Sequence, residues 1–206
     1  MNTLARFGAA TRMVSLTLLL FVACAASAQE HAAPVGKKGN WDISPWIASA
    51  TGEENRDSLT EAQIWTAGVF IGKVITGEIG SGWRRGSLEY GFDLIPAFVT
   101  SKTETVYGGG FDPLVLRWNF SRRTGRFAPY IELGGGGVLT TANLPPGDTS
   151  SFNFMARGGG GIDIFTKSRQ SLDVGLRWWH ISNANLGLRN PEFNGLQISL
   201  GYHWFK

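Results

Sequence analysis

Beyond residue 40 the chain runs in long stretches that alternate apolar with polar residues, and this period of two limits its fold more than any other feature. In Leu88-Glu89-Tyr90-Gly91-Phe92-Asp93-Leu94 the apolar residues Leu88, Tyr90, Phe92 and Leu94 share one face, while Glu89, Gly91 and Asp93 share the other. Successive side chains of a pleated strand point to opposite sides, so such a segment is two-faced only when extended. The same split sets Leu114, Leu116, Trp118 and Phe120 against Arg117 and Asn119, and Phe152, Phe154, Ile162 and Ile164 against Asn153, Arg157 and Asp163. Composition agrees: with 28 Gly, 13 Phe and 8 Trp in 206 residues, a helical chain would lose about 1 kcal/mol per Gly relative to Ala, whereas aromatic rings suit pleated surfaces.

Turn chemistry divides this part of the chain into eight expected strands, near residues 41–50, 62–79, 84–100, 106–121, 126–142, 151–165, 170–183 and 194–206. Several exceed the roughly 9 to 11 residues that a tilted strand needs to cross a bilayer. No window after residue 28 holds the long apolar run of a spanning helix. Two architectures remain. In a soluble sandwich the apolar faces form a shared core and the charges meet water. In a membrane barrel the apolar faces meet lipid and opposite charges pair in the lumen. Strand length, aromatic rings near the strand ends and an export signal favour an all-β, eight-stranded antiparallel transmembrane β-barrel of the outer-membrane type over residues 41–206.

The export signal is the amino-terminal segment. Arg6 and Arg12 precede the apolar run 13–26, which ends in Ala26-Ser27-Ala28, the small-x-small pattern that signal peptidase accepts. Residues 1–28 are therefore expected to be a cleaved signal peptide and residues 29–40 a short periplasmic leader. The rival reading, acylation at Cys24, fits poorly because Phe21-Val22-Ala23 precedes it. Cleavage leaves a chain without cysteine, and 17 basic against 16 acidic residues once Arg6 and Arg12 are subtracted from 19. That balance gives no argument for nucleic-acid binding.

An even strand count places the turns at 80–85, 121–126 and 166–169 on the periplasmic side and the longer connections at 51–61, 101–105, 143–150 and 184–193 outside. The pairs Arg84-Arg85 and Arg122-Arg123 read as solvated charge near an anionic leaflet, with lipid phosphate as an alternative partner. The four-glycine runs at 134–137 and 158–161 lack the Lys-Ser/Thr of a phosphate loop and lie within strands. They read as packing devices for a narrow lumen. No Cys/His/carboxylate set stands at metal-ligand spacing, so neither metal nor cofactor is expected.

Two polar residues break the pattern. Along 170–183 the outward face runs Leu172, Val174, Leu176, Trp178, and the same register continues to His180 and Ser182. A polar group left unsatisfied in hydrocarbon costs several kcal/mol, so an imidazole and a hydroxyl on the outer wall call for a reason other than packing. Spaced two apart on one face, they are within reach of each other, as a hydroxyl nucleophile and its base must be.

The stretch His180-Ile181-Ser182-Asn183-Ala184, followed by Asn190, resembles the carboxy-terminal signature of the lipid A 3-O-deacylase family, the PagL-like outer-membrane barrels. The close resemblance covers about residues 177–206. It implies that His180 is the general base and Ser182 the nucleophile. In the family an acidic residue fourteen positions after the His orients the imidazole; here that position is Asn194, and Asn185 replaces a common glycine. Asn194 has the outward parity of Leu196, Ile198 and Leu200, and its amide oxygen could accept the imidazole N–H without contributing charge. Glu192 is read mainly as a solvated loop residue and alternatively as the missing carboxylate. Asn183 is a candidate oxyanion donor, with capping of the loop as the competing role. The implied partners are lipid A of lipopolysaccharide and the outer membrane itself, with homodimer formation open. The implied activity is removal of the 3-O-linked 3-hydroxyacyl chain by a site at the extracellular rim, reduced if the amide is a poor substitute for the acid. The alternative is a non-catalytic barrel with a structural or adhesion role and a degenerate site.

Overall fold

The computed structural model describes residues 37–52, 62–101, 105–121, 126–144 and 149–206. The expected signal peptide, Cys24, most of the expected leader, most of the first long connection, and Arg122 and Arg123 lie outside the described residues. Eight strands follow in order: β1 (Trp41–Gly52), β2 (Gln63–Val74), β3 (Gly86–Ser101), β4 (Tyr107–Phe120), β5 (Phe127–Leu144), β6 (Ser150–Lys167), β7 (Gln170–Ser182) and β8 (Phe193–Phe205). Each pairs antiparallel with the next, and β1 pairs with β8 to close the barrel. Closure leaves no edge strand unpaired.

The two faces fall as the alternation requires. Leu88, Phe92, Leu116, Phe154 and Leu176 point outward, whereas Asp93, Arg117, Arg157 and Asp163 are buried in the lumen. The parity is not constant along every strand. Register shifts between β3 and β4 at Ile95/Phe98 and between β4 and β5 at Phe111/Leu114 bracket Pro96 and Pro113, which have no N–H to give the ladder. Past Pro96 the inward set switches from Asp93 and Ile95 to Phe98 and Thr100.

The second strand ends at Val74, five residues short of the sequence expectation. Its partner β1 begins at Trp41, opposite Lys73, so beyond Val74 only β3 remains to pair with. There the N–H groups of Ile75 and Thr76 both donate to the Leu88 carbonyl, and Gly80 and Gly82, at φ 84° and 59°, bend the chain through a 3-10 turn at Gly82–Arg84. Arg85 in this turn pairs with Glu78 at 2.6 Å.

The lumen is filled in three layers. At the end carrying the β1–β2, β3–β4, β5–β6 and β7–β8 connections, an apolar cluster includes Ile64, Phe98, Trp179, Ile181 and Phe193. At the opposite end Ala128, Phe165 and Phe205 pack together. Between them lies charge. Arg117 donates through Nε (3.2 Å) and Nη2 (3.0 Å) to Glu132 Oε2, Arg177 donates to Glu132 Oε1, and Arg157 pairs with Asp93 and, at 3.4 Å, Asp112. The glycine runs open the way for these contacts. Gly159 stands between Glu132 on β5 and Arg177 on β7 in the ladder, and a Cβ there would lie 2.7 Å from the Arg177 Cα. With no side chain in that position the arginine reaches across β6 to its carboxylate.

Candidate active site

The register of β7 and β8 sets His180 directly opposite Asn194, and Ser182 follows two residues later on the same outward face. The three side chains converge. His180 Nδ1 lies 2.8 Å from Asn194 Oδ1, and Nε2 lies 3.0 Å from Ser182 Oγ. An amide oxygen can only accept, so Nδ1 carries the ring proton and Nε2 keeps a lone pair for the serine hydroxyl. The amide and the hydroxyl sit on opposite ring nitrogens, the arrangement a hydroxyl nucleophile and its base require.

The surroundings hold the imidazole in place. Trp178, two residues before it on the same face, stacks on the ring with centroids 5.8 Å apart and planes within 13°. The alternate residues Trp179, Ile181 and Phe193 turn inward and join the apolar cluster, giving the site strands a packed backing. About a quarter of the His180 side chain is exposed. Around it the outer wall is apolar: Ser182 pairs across the ladder with Phe154, His180 with Ala156, and Trp178 with Leu196.

The connection after β7 is tied down by asparagines. The Asn183 amide donates to the Arg189 carbonyl at 2.8 Å, its Oδ1 accepts from the Asn185 N–H at 2.9 Å, and the Asn183 N–H donates to Asn190 Oδ1 at 2.8 Å. Asn183 is buried on the inward side. Its polar atoms therefore brace the loop, the capping role that stood beside oxyanion donation in the sequence reading. Ala184 and Asn185 follow with φ of 50° and 65°. The left-handed region favours glycine and, next, asparagine, so Asn185 is accommodated there.

Glu192 is drawn into the site. Asn194 Nδ2 donates to Glu192 Oε2 at 3.3 Å, and the same oxygen lies 4.0 Å from His180 Nδ1. Its place in the β7–β8 connection had marked it mainly as solvated, because linear spacing does not register how the loop folds back over the strand end. The Trp178 stack was also missed, although its position two residues before His180 on one face was a usable signal.

His203 points into the lumen, donates through Nδ1 to Asp42 at 2.7 to 2.8 Å, and turns Nε2 toward Asp163 at 3.9 Å. The fold gathers Asp163, Asp173 and His203, from three strands, within 4.8 Å of one another. Spacing in the chain could not reveal this group. It lies beside Arg117, whose Nη1 is 3.8 Å from Asp42.

No curated protein sequence matches the chain. Among solved structures, the outer membrane enzyme PagL is similar at 21% identity, with 79% of this chain and 98% of that one covered and a TM-score of 0.53. The outer membrane protein OprG from Pseudomonas aeruginosa is similar at 12% identity, covering 84% and 99%, with a TM-score of 0.54. Neisserial surface protein A is similar at 16% identity, covering 80% and 95%, with a TM-score of 0.52. These likenesses are of fold. Residues 67–203, which include His180, Ser182 and Asn194, match the family described as Lipid A 3-O-deacylase (PagL), and over that span of its sequence the chain belongs to this family.

Proposed function

We propose that the protein is an outer-membrane esterase that removes the 3-O-linked 3-hydroxyacyl chain of lipid A in Gram-negative cells. The observation that carries this reading is the chain of hydrogen bonds from Ser182 through His180 to Asn194 on the outer wall of the barrel. Ser182 Oγ attacks the ester carbonyl carbon while its proton passes to His180 Nε2. The tetrahedral adduct then expels the glucosamine 3-oxygen, which leaves with the proton from Nε2. Water, deprotonated by the same nitrogen, attacks the acyl-serine, and the hydroxy fatty acid departs as Ser182 Oγ regains a proton.

An outward-facing site suits this substrate. Lipid A cannot leave the membrane, so a nucleophile beside Phe154, on an apolar wall that continues through Trp178 and Leu196, meets the acyl chains where they already are. In this reading the long connections face the exterior and the site works at the extracellular rim. Residues 1–28 serve as the cleaved signal peptide and 29–40 as the leader. All three reacting side chains belong to one chain, so a single protomer suffices.

The test is mass spectrometry of lipid A from cells expressing the protein, beside a Ser182→Ala control at equal level. Loss of one 3-hydroxyacyl group in the first and not the second is expected. Unchanged lipid A with folded protein in the outer membrane would overturn the reading and leave a non-catalytic barrel.

A further inference from the structure

We infer that Glu192 is a positioning residue of this site, taking over from the residue just before β8 the work of the acid that position 194 lacks. The inference rests on the proposed esterase reading and deepens it.

The argument starts from what an amide can and cannot do. Asn194 offers His180 an oxygen, but an amide side chain can rotate by half a turn and present its NH2 instead. That alternative sets a donor against Nδ1, which drives the ring proton to Nε2 and removes the acceptor that Ser182 needs. Something must choose between the two orientations. Glu192 does so because a carboxylate only accepts: with Oε2 at 3.3 Å from Asn194 Nδ2, it holds the NH2 on its own side and so keeps Oδ1 on the imidazole at 2.8 Å.

Charge is the second contribution. When Ser182 gives up its proton, the ring becomes an imidazolium, and the neutral amide offers no counter-charge. Glu192 Oε2 stands 4.0 Å from Nδ1, the nearest carboxylate contact recorded for His180 among the described residues. Its side chain is 44% exposed, so the attraction is screened yet still directed at the nitrogen where charge develops. One residue thereby fixes the tautomer through Asn194 and stabilises the imidazolium across a short gap. The loop makes this possible: Asn183 and Asn190 clamp the connection whose last residues carry Glu192 into β8.

The experiment uses the full-length mature chain, refolded in detergent, with two readouts: kcat and KM on purified lipid A, and the rate at which a fluorophosphonate labels Ser182. Glu192→Gln keeps an acceptor for the Asn194 amide but loses the charge, and kcat should fall about tenfold with KM unchanged. Glu192→Ala loses both functions and should fall about thirtyfold or more, with labelling slowed in parallel. Glu192→Asp should recover most of the loss. Above all, Glu192→Gln combined with Asn194→Glu returns a carboxylate to the ring and should restore kcat to the wild-type value or beyond.

A merely structural glutamate would not show recovery by Glu192→Asp together with loss in Glu192→Gln, in kcat and in labelling alike. Variants at 192 that stay within twofold of wild type in both readouts, while folded by heat-modifiable migration, would overturn the inference and leave the esterase intact. Labelling absent in wild type but present in Asn194→Glu would also overturn it, since the carboxylate at 192 would then be doing nothing. Failure of labelling and of deacylation in every variant overturns the esterase reading, and the role of Glu192 falls with it.

Discussion

Replacing Glu132 by Ala removes the carboxylate on which the central arginines of the lumen converge, and the cost can be set from the geometry. Glu132 Oε2 accepts from Arg117 Nε and Nη2 at 3.2 and 3.0 Å, Oε1 accepts from Arg177, and Arg157 Nε stands 4.0 Å away. The carboxylate is 1% exposed and the guanidinium groups of Arg117 and Arg177 are 4% and 8% exposed, so solvent does not screen them. Hydrogen bonds to charged groups contribute about 1.5–3 kcal/mol each, and three of them would sum to more than about 4.5 kcal/mol if additive. Water entering the vacated space limits the loss, and breaking one side of a buried pair costs about 3–5 kcal/mol in practice. Taking about 4 kcal/mol, the folding equilibrium shifts roughly a thousandfold, and with a slope of about 2 kcal/mol/M the urea midpoint falls by about 2 M. The reference is Glu78→Ala, which breaks the exposed 2.6 Å pair with Arg85 and should cost no more than about 1 kcal/mol. Reversible urea unfolding in lipid vesicles, followed by tryptophan fluorescence, measures both. Midpoints of the two variants within about 0.5 M of each other, on the same slope, would refute the claim that buried pairing at Glu132 holds the barrel together.

Gly159→Val should block assembly, because a Cβ 2.7 Å from the Arg177 Cα also meets the Leu176 carbonyl, and neither backbone group can yield; the folded, heat-modifiable band on a gel should be lost. Trp178→Ala removes the ring stacked on His180 and, at about 0.5–1.5 kcal/mol for such a pair, should lower kcat roughly threefold to tenfold with the unfolding midpoint little changed. Ala184→Gly relieves a φ of 50° and should be neutral or stabilising by up to about 1 kcal/mol in the same urea assay, with lipid A deacylation retained.

The barrel was legible because its signal is redundant. Every strand carries several alternating residues, so the facing of Leu116 against Arg117, or of Phe154 against Asn153, survives an error of a few residues at either boundary. The parity switch beyond Pro96 was not legible, since a bulge moves the pattern by one residue and leaves both halves looking regular. His180 and Ser182 could be read because they interrupt an apolar face, whereas Asn194 was reached through the family resemblance, fourteen positions after the His, with the parity of Leu196 in agreement. Asn183 could not be assigned by the same means: its neighbours in space, Arg189 and Asn190, become neighbours only when the loop closes. The same holds for Asp163, Asp173 and His203, which three strands bring together from distant parts of the chain.

The charged middle layer of the lumen also constrains how the protein enters a membrane. A single hairpin of β6 and β7 laid into hydrocarbon would expose Arg157, Asp163, Asp173 and Arg177, all buried in the finished barrel. Insertion of one such group at the bilayer centre costs about 2.5–3.5 kcal/mol or more, so four together cost on the order of 10 kcal/mol. Their partners arrive on other strands: Asp93 on β3 for Arg157, and Glu132 on β5 for Arg177. Insertion of this hairpin by itself is therefore uphill until β3 and β5 arrive with the partner carboxylates.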